Sequence, residues 1–98
     1  MTFALHLRQE AELDLEDAAF WYEEQNTGLG HQFLDEAQSI LSAIAETPLI
    51  FPVVHKSTRC ALMRRFPFGV YFQVDSSGVM VVAVMHGSRS PARWKSRN

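Results

Sequence analysis

Five residues, Asn26–Gly30 (NTGLG), constrain this chain more than any other stretch, because of what flanks them. Upstream, in QEAELDLEDAAFWYEEQ, Ala11, Leu15, Ala18 and Tyr22 recur at four, three and four residues, the spacing of one helical stripe. Leu13, Phe20 and Trp21 are expected to widen that stripe, leaving Glu12, Glu16 and Glu23 in water. Downstream, Leu29, Phe33, Ala37, Ile40, Leu41 and Ile44 share one face of a second helix, with Gln32, Asp35, Glu36 and Ser39 mostly elsewhere. An asparagine and two glycines between them stop the first helix and turn the chain. Two helices joined so closely pack antiparallel as a hairpin.

Strand patterns surround the hairpin. TFALHLR at 2–8 alternates Phe3, Leu5 and Leu7 with Ala4, His6 and Arg8, which predicts a strand with one buried face. TPLIFP at 47–52 ends the second helix, since each proline disfavours helix in the residue before it. RCALMRR, FGVYFQV and VMVVAVM then read as three β-rich runs, with the turn sequence DSSG at 75–78 and a short strand expected near Val53–His55. Helices grouped ahead of strands predict one α+β domain over residues 1–98. Its order is β-α-α-β-β-β(β), with the antiparallel helical hairpin on one face of a small, mainly antiparallel twisted sheet.

The chain is long enough for one domain and too short for two. One cysteine, Cys60, excludes an internal disulfide and supplies no ligand cluster, so a reducing, cytoplasmic setting is expected. The opening MTFALHLRQE lacks the basic head and long apolar stretch of a signal peptide. VMVVAVM at 79–85 falls far short of the ~20 residues that cross a bilayer, so no membrane partner is expected.

Charge is strongly segregated. Residues 1–50 hold ten acids and one base, a net −9, whereas residues 51–98 hold one acid and eight bases, a net +7. That asymmetry speaks to partners rather than to fold, and it predicts a basic, partner-binding second half.

TGLGH places Gly28 and Gly30 ahead of a helix, as a phosphate loop does. Phe33 stands where the third glycine belongs and no strand precedes it, so the stretch reads as a helix–helix turn. His6, His31, His55 and His86 match no metal-ligand spacing, and neither metal nor cofactor is expected. Arg59, Arg64 and Arg65 are placed in a strand, where Arg64 and Arg65 would point to opposite faces. There they serve either as edge protection or as partner contacts. At the end, Ser90 and Pro91 make a good N-cap and first-turn pair. SPARWKSR can then fold Trp94 back over the sheet and hold Arg89, Arg93 and Arg97 near His86, the alternative being a frayed tail.

The phrases DAAFWYEEQNTGLGHQF, PLIFP, RRFPFGVYF and VAVMHGSRSPARW, in this order, resemble the ParE/RelE superfamily of toxins from bacterial type II toxin–antitoxin modules, over about residues 3–95. The resemblance implies a β-α-α-β-β-β fold neutralised by a cognate antitoxin, within a toxin–antitoxin hetero-oligomer or alongside a homodimer. It also implies one of two targets. RelE-like members cleave mRNA in the ribosome, and ParE-like members poison DNA gyrase without being nucleases. Cleaving RNA through its 2′-OH requires a proton acceptor, a proton donor and cations beside the phosphate. The middle-strand positions where RelE-like members carry lysines and an arginine fall here on Cys60, Leu62 and Gly69, and the late tyrosine falls on Arg93 or Trp94. The resemblance therefore points to the ParE-like branch and to plasmid stabilisation. Expected target contacts are Arg89, Arg93 and Trp94, supported by Arg64 or Arg65, and expected antitoxin contacts are Arg59, Arg65 and Tyr71. The alternatives are an mRNA endonuclease using His86 with Arg89, or recruiting His55 and Tyr71 as acid–base groups, and a decayed toxin that still sequesters antitoxin.

Overall fold

The structure, a computed structural model, describes residues 2–87 and Lys95. Strand β1 (Leu5–Leu7) leads into helix α1 (Gln9–Gln25) and helix α2 (Leu29–Glu46). A 3-10 turn at Pro48–Ile50 follows, then β2 (Val53–His55), β3 (Thr58–Leu62), β4 (Phe68–Asp75) and β5 (Gly78–His86). The described strands form one sheet in the order β1-β5-β4-β3-β2. β1 runs parallel to β5, and every other pairing is antiparallel. A parallel pair needs a long crossover, and the helical hairpin between β1 and the meander supplies it. The α+β arrangement expected from the sequence is present, including the short strand at Val53–His55.

The hairpin closes where the glycines demand. Gly28 caps α2 at φ 90°, a left-handed conformation in which glycine meets no Cβ penalty. At Gly30 a Cβ would lie 2.4 Å from the Ala19 carbonyl oxygen, so only glycine lets the two helices approach this closely. The Glu23 carboxylate accepts hydrogen bonds from the N–H groups of Gly28 (2.9 Å) and Gly30 (3.0 Å). The positive end of α2 is thus occupied by a carboxylate of this chain, and the stretch is a helix–helix turn rather than a phosphate loop.

One face of the sheet packs on the hairpin. Ala11 and Ile44 meet Ala61, Val70, Phe72, Val79, Val81 and Val84 in one buried cluster. In a second, Phe33 is fully buried, with ring centroids 5.4 Å from Tyr22, 5.2 Å from Phe66 and 5.1 Å from Phe68. On the outer face Val82, Ala83 and Met85 are buried beside Tyr71 and Met80. A bulge opposite Tyr71 and Phe72 gives β5 one extra residue. Burial on both faces explains why VMVVAVM reads as a continuous apolar run rather than an alternation.

Two expectations are corrected. Leu13, Phe20 and Trp21 do not widen the buried stripe of α1 but stand 48%, 66% and 57% exposed. At about 100° per residue, Leu13 and Phe20 lie roughly 180–200° around the helix from Ala11, and Trp21 lies well off that stripe. Arg64 and Arg65 are not in a strand, because β3 stops at Leu62. The Met63 N–H closes on the Phe68 carbonyl (2.9 Å), and the Arg64 and Arg65 N–H groups turn to the Glu36 carboxylate instead of to β4.

Candidate functional site

Strand pairing sets opposite one another the residues that carry chemistry on the outer face. Cys60 pairs with Tyr71 and Leu62 pairs with Gly69. The Tyr71 hydroxyl and the Cys60 sulfur share a hydrogen bond. Burial raises the Cys60 thiol above its ordinary pKa. Burial, then the adjacent thiol, pushes Tyr71 up to about 12. Both groups are therefore neutral at physiological pH. A Cβ on Gly69 would lie 2.9 Å from Cys60 Sγ, 3.3 Å from Tyr71 Oη and 3.4 Å from Leu62 Cδ2. No side chain fits at Gly69 without displacing its neighbours, and Leu62, 71% exposed, closes the patch with apolar surface. Among the described residues this spot presents a neutral thiol, a neutral phenol and apolar surface.

His86 belongs to the opposite face. It pairs with Phe68, whose ring it meets edge-on at 5.4 Å, and it lines an open groove between α1 and the ends of β4 and β5. Asp14, Asp17, Trp21 and Tyr22 supply the α1 wall of that groove, and Pro67 and Phe68 supply part of the other. Asp14 also accepts the Val84 N–H at 3.0 Å, which ties the helix to β5.

The arginines serve separate purposes. Arg59 Nη1 donates to the carbonyls of Phe51 (2.6 Å) and Leu49 (3.2 Å), fastening the 3-10 turn to the sheet. The Arg65 guanidinium donates to Gln32 and lies 5.6 Å from the Phe66 ring centroid, near α2. Arg64 is exposed on the same loop. His55 stands on β2, where burial, then the Lys95 and Lys56 ammoniums, lower its pKa. The structure thus separates His86 from Tyr71 by the thickness of the sheet and does not bring His55, Tyr71 and His86 together. Arg89, Arg93 and Trp94 lie outside the described residues.

Sequence reasoning missed Asp14, Glu23 and Glu36, three carboxylates that order this frame. Glu23 had a readable signal, since it precedes Gly28 by five residues and Gly30 by seven. Glu36 had none, because its partners lie 28 and 29 residues away.

A family profile, the ParE toxin of the type II toxin–antitoxin system parDE, matches residues 5–91. The chain belongs to the ParE toxin family. It is thus a ParE-like toxin of a type II toxin–antitoxin module. A solved structure of the chromosomal ParDE system from P. aeruginosa resembles it with a TM-score of 0.78 at 13% identity, covering 87% of this chain and 96% of that one. The toxin–antitoxin complex RelBE2 from Mycobacterium tuberculosis resembles it with a TM-score of 0.60 at 14% identity, covering 88% and 92%. At such identities the likeness shows a shared fold. No curated protein sequence matches significantly. Among the described residues no helix of this ParE-family chain is long and apolar enough to cross a membrane.

Proposed function

We propose that this toxin acts by binding DNA gyrase rather than by cutting RNA, and that a cognate antitoxin neutralises it. The observation that carries this reading is the Cys60–Tyr71–Gly69–Leu62 patch. Its Cys60, Leu62 and Gly69 fall where the RelE-like branch is expected to carry its cations, and with Tyr71 they offer a neutral thiol, a neutral phenol and apolar surface. A phosphodiester passing through a dianionic transition state gains nothing from such a surface. Membership of the ParE family supports the same conclusion.

Target contact is assigned to Arg89, Arg93 and Trp94, with exposed Arg64 and Arg65 on the β3–β4 loop in support. The antitoxin is expected to present an acidic, amphipathic segment to the basic stretch 56–97, reaching Arg59, Arg65 and Tyr71. Steering by opposite charge favours rapid capture, as a neutralising partner requires. Purified toxin added to a gyrase supercoiling reaction tests the proposal. Inhibition reversed by antitoxin is expected, and unimpaired supercoiling at large toxin excess would remove gyrase as the target.

A further inference from the structure

Helix α1 has two apolar stripes, and the fold uses only one. Ala11, Leu15, Ala18 and Tyr22 enter the core. Leu13 and Phe20, at 48% and 66% exposure, lie opposite that stripe, and Trp21, at 57%, stands between them and the groove that α1 shares with β4 and β5. Leu13 to Phe20 and Trp21 is a spacing of seven and eight, so the stripe runs about 12 Å along two helical turns. The groove walled by Trp21, Tyr22, Pro67 and Phe68 lies alongside and extends the apolar surface toward the sheet.

Charge decides what fits there. Residues 9–46 contain ten acids and neither lysine nor arginine. Asp17 and Glu24 lie within the stripe itself, and Glu10 and Glu16 flank it, all exposed. Nucleic acid and anionic lipid are repelled by such a surface. A second copy docking the same face meets carboxylate with carboxylate. An acidic antitoxin segment is equally mismatched. What remains is a protein segment that is apolar on one side and cationic on its flanks, laid as a helix against α1.

We infer that the outward face of α1 is a second docking surface, for a basic amphipathic helix of a partner protein. Apolar side chains of that helix pack on Leu13, Phe20 and Trp21. Its lysines or arginines flank them against Asp17 and Glu24. The apolar anchors of this surface lie on α1, whereas Arg59, Arg64 and Arg65 lie on β3 and the β3–β4 loop.

The test uses the full chain and fluorescently labelled synthetic peptides, read by anisotropy. One peptide is an 18-residue Leu/Lys amphipathic helix, and the other has the same composition scrambled to abolish the apolar face. The patterned peptide is expected to bind at least ~10-fold tighter than the scrambled one, and to weaken ~10-fold in Phe20→Ser or Leu13→Ser, as loss of a central apolar anchor does. Asp17→Lys is expected to weaken it and to flatten its salt dependence. These positions are exposed, and unchanged circular dichroism would verify that the variants fold. Equal binding of both peptides, or patterned binding unaffected by Phe20→Ser, would overturn the inference. So would a dimer in sedimentation velocity that Phe20→Ser dissolves, since the face would then belong to self-association.

Discussion

Glu23 and Tyr71 show how single side chains fix this molecule. Glu23 satisfies two N–H groups at the start of α2, where the helix itself supplies no acceptor. Glu23→Ala is expected to cost about 0.5–2 kcal/mol, the range for a lost helix cap. That corresponds to a fall in melting temperature of roughly 4–8 °C per kcal/mol, measurable by thermal denaturation. Tyr71 is held neutral by burial and by the Cys60 thiol, with its pKa raised from 10.0 to about 12. A raised folded-state value means that the stabilisation is fully present below the unfolded value. It is lost as pH climbs from about 10 through about 12. Burial raises Tyr22 as well, so neither tyrosine ionises at its ordinary pH. Tyrosinate absorbance followed through an alkaline titration should rise late and together with unfolding. Tyr71 ionising near 10 in a folded Tyr22→Phe chain would contradict the buried thiol–phenol pair.

At the scale of elements, periodicity was legible and direction was not. Helix α2 follows its pattern, with Phe33, Ala37 and Ile44 all buried. Helix α1 carries apolar residues on opposite sides, and composition alone cannot say which set meets the sheet. The short spacing of Ala11, Ala18 and Ala19 is the better guide, because small residues mark close packing. The antiparallel meander also followed from the pattern, but the place of β1 beside β5 and the end of β3 did not. A long-range carboxylate, Glu36, captures the Arg64 and Arg65 backbone, and local sequence holds no sign of it. The two stripes of α1 and the core face of α2 should respond differently to truncation. Phe33→Ala empties a fully buried site among three aromatic rings and should cost about 3–5 kcal/mol in denaturant unfolding. Phe20→Ala removes an exposed ring and should stay within about 0.5 kcal/mol.

Across the whole molecule, the separation of charge survives folding in one half. The hairpin carries ten acids, with no lysine or arginine between residues 9 and 46. Among the described bases the arginines are spread, with Arg59 bound to carbonyls at the β2 end and Arg65 set against α2. Family and fold were visible in the order of motifs, whereas the assignment of target contacts rests on residues near the C-terminus. Among the described residues the outer sheet surface presents the neutral Cys60–Tyr71 pair and apolar side chains, and the proposed mode of action is occupancy of gyrase rather than turnover of RNA. The amount of toxin needed to inhibit gyrase tests this most directly. Supercoiling should fall in proportion to the toxin-to-gyrase ratio, level off near stoichiometric toxin, and not deepen with longer incubation. Time-dependent inactivation by substoichiometric toxin, or ribosome-dependent mRNA cuts with gyrase untouched, would contradict it.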